Sequence, residues 1–173
     1  MNKKTTSGLT LVELVITIAV AGILAGLAIT SFRDMIQNNR MASHANELIS
    51  SINLARSEAV KRGVGVKLTA SGTSAGNEWG DGWTVWIDTN GDGVIDDTEA
   101  LKKVDVFSGS VTLDSTNGVS EYSYRADGSF EAGGATGVSE VLELCDPNKT
   151  GETGRKINIA PSGRPSVSEL TCS

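Results

Sequence analysis

Between Glu13 and Arg33 the chain carries no charge, and Leu, Ile, Val, Ala and Gly fill the interval. At about 1.5 Å per residue, a helix of roughly 20 such residues matches a hydrocarbon core of about 30 Å. Lys3 and Lys4 precede it, which the positive-inside bias places in the cytoplasm. Glu13 sits just inside the apolar run, where a carboxylate costs about 2.5–3.5 kcal/mol on insertion scales. A cleaved secretory signal also begins with basic residues and an apolar run, but this run is long for one and Glu13 breaks its front. A plain single-pass anchor gives Glu13 no reason to be there. A carboxylate withdrawn from water needs a cation.

Ser7-Gly8-Leu9-Thr10-Leu11-Val12-Glu13-Leu14 resembles the type IV prepilin leader. The resemblance implies cleavage after Gly8 by a prepilin peptidase, N-methylation of Leu9, and an assembly role for Glu13. In that role the carboxylate meets a neighbouring subunit's terminal amine. Leu9 departs from the family's usual Phe. Thr30 stands where relatives often carry Pro, so their kink or melted segment is not implied here.

The amphipathic pattern continues past the apolar run. Met35, Ile36, Ala42, Ala45, Leu48, Ile49, Ile52, Ala55 and Ala59 recur mostly at intervals of three and four, with Arg33, Gln37, Arg40, His44, Glu47, Ser51 and Glu58 on other faces. One helix is predicted to about Arg62, some 80 Å long if unbroken. Lys61 and Arg62 suit its negative end, and Gly63 suits the cap. Gly22 and Gly26 form a Gly-x-x-x-Gly that would allow close helix approach, although small residues crowd this segment anyway. His44 is predicted to be solvated on the polar face.

After Gly63 short apolar runs alternate with Gly, Asn, Asp and Ser clusters. The strand-like stretches are Val64–Thr69, Trp83–Asp88, Leu101–Phe107, Glu121–Arg125, Glu140–Cys145, Lys156–Ala160 and Ser166–Thr171. Twenty glycines and few aromatics agree with many turns. The predicted fold is α+β: a long N-terminal helix packed on a small antiparallel head of one or two sheets. The predicted division is a leader at 1–8, a helix at 9–62 and a β-rich head at 63–173. Within the helix, 9–32 would span the membrane and 33–62 would be amphipathic. The stretch 69–77 reads as a polar loop.

Leu54–Arg62 with the following strand, the Trp83–Asp88 strand, and Gly163–Cys172 further resemble the FimT/GspH type of minor pilins and pseudopilins. This implies a bacterial inner-membrane protein with a cytoplasmic N-terminus and a periplasmic head. It would join or cap a type IV pilus or a type II secretion pseudopilus. Its partners would be other pilins or pseudopilins, the inner membrane and the prepilin peptidase. Relatives pair a late cysteine with one near the C-terminus, which implies a Cys145–Cys172 disulfide. An exported head suits that oxidised state better than free thiols or metal ligands. Arg56 and Glu58 read as a solvated face or a structural ion pair.

Some relatives bind DNA through two arginines in the C-terminal turn. Here Pro165 and Ser166 follow Arg164, leaving Arg155, Lys156 and Arg164 as the candidate basic patch. A formal charge of −6 works against phosphate binding. Trp79, Trp83 and Trp86 would serve a core, with Trp83 and Val85 on one strand face and Trp86 on the other; an adhesive ligand surface is the alternative.

Asp88-Thr89-Asn90-Gly91-Asp92-Gly93-Val94-Ile95-Asp96-Asp97-Thr98-Glu99 matches the twelve-residue EF-hand calcium loop. Asp88, Asn90, Asp92, the Val94 carbonyl, Asp96 and Glu99 would supply the oxygens. A hairpin tip is the competing reading, since Asn-Gly and Asp-Gly are turn dipeptides and the flanks read as strands. No cofactor is required otherwise. With one histidine and two cysteines expected to be bonded, no Ser–His or Cys–His nucleophile is expected, and the chain does not read as an enzyme.

Overall fold

A computed structural model describes residues 10–72, 78–148 and 153–172, without the side chains of 27–31, 33 and 34. Lys3, Lys4, Gly8 and Leu9, and most of the predicted 69–77 loop, lie outside the described residues.

The predicted helix forms as one element, α1, over Leu11–Arg62. Its last turn carries Lys61 and Arg62, and the Gly63 N–H closes onto the Ala59 carbonyl at 2.9 Å. Two compact units divide the chain, Met1–Asn39 and Arg40–Ser173. In the first unit the described large apolar side chains are exposed, among them Leu11 at 79%, Ile18 at 64% and Ile23 at 66%. Among the described residues no helix is long and apolar enough to cross a membrane. Of the span expected at 9–32, side chains are described only for 10–26 and for Phe32.

The second unit holds the C-terminal part of α1 and ten strands. They are β1 (Val66–Ala70), β2 (Trp83–Trp86), β3 (Ala100–Val104), β4 (Thr112–Ser115) and β5 (Glu121–Tyr124), then β6 (Phe130–Ala132), β7 (Ala135–Thr136), β8 (Glu140–Cys145), β9 (Thr153–Ile159) and β10 (Pro165–Thr171). Two antiparallel sheets result. One has the order β3-β2-β1-β5-β6-β7, the other β10-β9-β8-β4.

Period-two alternation selects what each sheet buries. Val66 and Leu68 of β1 point inward with Trp83, Val85, Tyr122, Tyr124, Phe130 and Ala132. From the second sheet come Leu113, Leu142, Leu144, Ile157 and Ile159. The helix adds Met41, Ala45, Leu48, Ile52, Ala55 and Ala59, a stripe stepping by four and three. Helix stripe and both inner sheet faces thus form a single hydrophobic cluster.

Candidate functional site

The front of α1 is held by a reciprocal cap. The Glu13 N–H donates to Thr10 Oγ1 at 3.3 Å, while Thr10 N and Thr10 Oγ1 approach Glu13 Oε2 at 3.4 and 3.3 Å. Thr10-x-x-Glu13 is therefore a capping box, a local use of Glu13 that the Thr-x-x-Glu spacing itself signals. The carboxylate remains exposed beside apolar side chains. Gly22 and Gly26 face open space, with nothing within 4 Å of an added β-carbon.

The acidic loop joins β2 to β3. Its base is closed by the Ile87 N–H on the Glu99 carbonyl at 3.1 Å. Asp88 Oδ1 accepts the Gly91 N–H at 2.8 Å, and Asp88 Oδ2 meets Lys67 Nζ at 3.2 Å. Partial burial pushes the Asp88 pKa up; Lys67 and the loop N–H groups outweigh it and leave the group below the ordinary carboxylate range. Asp92 Oδ1 accepts the Val94 N–H at 2.8 Å, and Asn90 Nδ2 lies 3.0 Å from Asp92 Oδ2 and 3.5 Å from Asp96 Oδ2. Glu99 turns inward. Its Oε1 accepts from Thr89 Oγ1 at 2.5 Å, Thr89 N at 2.7 Å and Asn90 N at 3.3 Å. The Thr89 hydroxyl, with those N–H groups, holds the Glu99 pKa down against desolvation. Val94 is exposed at the tip. Among the described residues no group of three or more His, Cys, Asp or Glu side chains is gathered to hold a metal ion.

Trp79, Trp83 and Trp86 are all buried, so none offers a ring face to a surface ligand, and the expected ligand platform of tryptophans is not formed. Trp83 and Val85 do join the inner cluster, whereas Trp86 takes the outer face. There Lys67, its cross-strand neighbour, covers it at 4.7 Å from the ring centroid, and the indole N–H donates to Thr69 Oγ1 at 2.9 Å. Lys67 thereby links Trp86 to Asp88.

The candidate basic patch is divided. Arg155 shares a face of β9 with Ile157 and Ile159, while Lys156 takes the opposite face, paired across the strands with Glu143. Arg164 is exposed in the β9–β10 turn. His44 is not solvated as expected. Its ring stacks on Phe107, centroids 3.8 Å apart, and burial followed by the nearby Arg40 charge lowers its pKa. Glu58 pairs with Arg62 at 2.5 Å and with Lys61 at 3.4 Å, not with Arg56. Cys145 and Cys172 form a disulfide, with α-carbons 5.8 Å apart. It ties the end of β8 to the residue after β10, across β9.

A long helix leading into a small antiparallel head is the type IV pilin-like fold. Two crystal forms of the Pseudomonas aeruginosa type IV minor pilin FimU share it. They show 23% and 24% identity, TM-scores of 0.61 and 0.58, and cover 79% and 76% of this chain and 98% and 99% of theirs. The Vibrio cholerae minor pseudopilin EpsH is more distant, at 12% identity and a TM-score of 0.49 over 73% of this chain and 93% of its own. No curated protein matches the sequence. Residues 44–163 match the family profile described as type II transport protein GspH, and residues 3–29 match the prokaryotic N-terminal methylation motif. The chain belongs to the family of the type II transport protein GspH.

Proposed function

We propose that the protein is a non-enzymatic structural subunit that enters, primes or caps a filament built from the inner membrane, either a type IV pilus or a type II secretion pseudopilus. The observation that carries this is the exposed apolar side chains of the first helical unit with the Glu13 carboxylate at its front. The methylation motif over residues 3–29 supports processing after Gly8 and methylation of Leu9. On this reading the leader is 1–8, the apolar part of 9–32 anchors the precursor with its N-terminus cytoplasmic, and 63–173 is the periplasmic head. Assembly would transfer that apolar surface from lipid to the helices of other pilins or pseudopilins. Glu13 would then exchange its contact with Thr10 for the amine of a neighbouring N-terminus. Buried together, the two charges satisfy each other; either alone would be costly. The role calls for no catalytic group and no cofactor.

The test is Glu13→Gln, followed in cells. Mass spectrometry of the wild-type protein should find methyl-Leu9 as the first residue, and the variant should be processed and membrane-bound yet recovered in sheared filaments at a tenth of the wild-type level or less. Undiminished incorporation of the variant, or a mature N-terminus still at Met1, overturns the reading.

A further inference from the structure

We propose that the Asp88–Glu99 loop binds one calcium ion. Its spacing alone is that of a hairpin tip as much as of a cation loop, so the weight falls on Glu99. This residue is only 4% exposed. While Oε1 accepts three hydrogen bonds from Thr89 and Asn90, Oε2 is enclosed and meets no donor. An anionic oxygen shut away from water without a donor is costly, and a cation beside it removes that cost.

The remaining oxygens would come from the rest of the loop, whose acids are not yet gathered in threes in this structure. Asp92 Oδ2 and Asp96 Oδ2 converge on the Asn90 amide, whose Nδ2 hydrogens now occupy the position between them. Binding requires that amide to yield its place to the ion. Asp88, Asp92, Asp96, Asp97 and Glu99 crowd within twelve residues, and Lys67 against Asp88 is the one ion pair they make among the described residues.

The donors are all oxygens, which selects a hard cation over zinc or copper. The loop is exposed and built on turns, and its donors are not fixed in an octahedron. Calcium accepts such irregular geometry, whereas magnesium does not and sheds its water reluctantly.

Calcium chloride titrated by calorimetry into the full chain in detergent tests this, together with thermal melts. A single site with Kd on the order of 10⁻⁴–10⁻³ M is expected, raising Tm at about 10 mM calcium but not at equal magnesium. Glu99→Gln should abolish the response, but it also loosens the contacts to Thr89 and Asn90. Asp92→Asn and Asp96→Asn, both at exposed positions, should keep the calcium-free Tm and weaken binding at least about tenfold. Absence of heat and of any Tm shift in the wild type overturns the proposal. So does an equal response to magnesium, or an unaltered response in both Asp→Asn variants.

Discussion

The Tyr124 hydroxyl donates a 2.9 Å hydrogen bond to the Gly163 carbonyl, and Tyr124 Cε1 lies 2.5 Å from where a Gly163 β-carbon would stand. The bond ties β5 of one sheet to the β9–β10 turn of the other. Gly163 also has φ +75°, a conformation L side chains avoid. Gly163→Ala therefore combines backbone strain with overpacking and should destabilise by about 2–4 kcal/mol in urea unfolding. Tyr124→Phe keeps the ring and should cost about 0.5–1.5 kcal/mol. Equal small losses for the two variants would mean that the turn relaxes freely away from the ring.

The Cys145–Cys172 bond closes a separation of 27 residues. On the chain-entropy model its removal should cost about 3–4 kcal/mol. Gly154 lies beneath it, so close that an added β-carbon would meet both sulfurs. Cys145→Ala with Cys172→Ala should lower the urea midpoint as much as reduction by dithiothreitol does in the wild type. Gly154→Ala should be unstable even with both cysteines present. A reduced protein with the oxidised midpoint would show that the bond contributes nothing to holding β10.

Asp114 gives a pH signature of unusual sign. Burial, then the adjoining Glu78 carboxyl and the Glu143 charge across the strands, raise its pKa to about 6 from 3.8. The folded chain therefore keeps a proton that the unfolded chain has released, and Asp114's contribution to stability falls as pH rises from about 4 through 6. Asp88 and Glu99 have lowered values and act oppositely, losing stability as pH falls toward the acid range. The difference between wild type and Asp114→Asn isolates the effect. The variant should gain in relative Tm between pH 4.5 and 7; a constant difference would exclude Asp114 as the titrating group.

What the sequence revealed follows from how local each signal is. The helix was legible because Ala45, Leu48, Ile52, Ala55 and Ala59 repeat at one period, and all are buried on one stripe. The division of the tryptophans between two faces of β2 followed from alternation alone. By contrast β4, Thr112–Ser115, was missed because only Leu113 in it is apolar; its neighbour β8 supplies the pairing. β6 and β7, three and two residues long, are too short to show an alternation. His44 was misplaced because its stacking partner, Phe107, is 63 positions away along the chain. In the loop, the spacing of acids was plain, but nothing local announced that Glu99 turns inward onto Thr89 while Lys67 from β1 takes Asp88. Those are tertiary facts.

The helix stripe makes the most direct mechanical prediction. Leu48 is fully buried in the shared cluster, whereas Val60, also on α1, is 55% exposed. Both lie in the same helix, so helix propensity separates them little and burial decides. Leu48→Ala removes methylenes from a site walled by helix and sheets and should cost about 2–5 kcal/mol. Val60→Ala, half in solvent, should stay within roughly 0.5 kcal/mol of wild type. Because α1 also carries Glu13, the two variants separate head stability from assembly. Leu48→Ala should lower the amount of protein in cells, and Val60→Ala should leave it unchanged. If Leu48→Ala unfolds at the wild-type urea concentration, the helix stripe does not anchor the head, and the cluster described above would have to be held by the sheets alone.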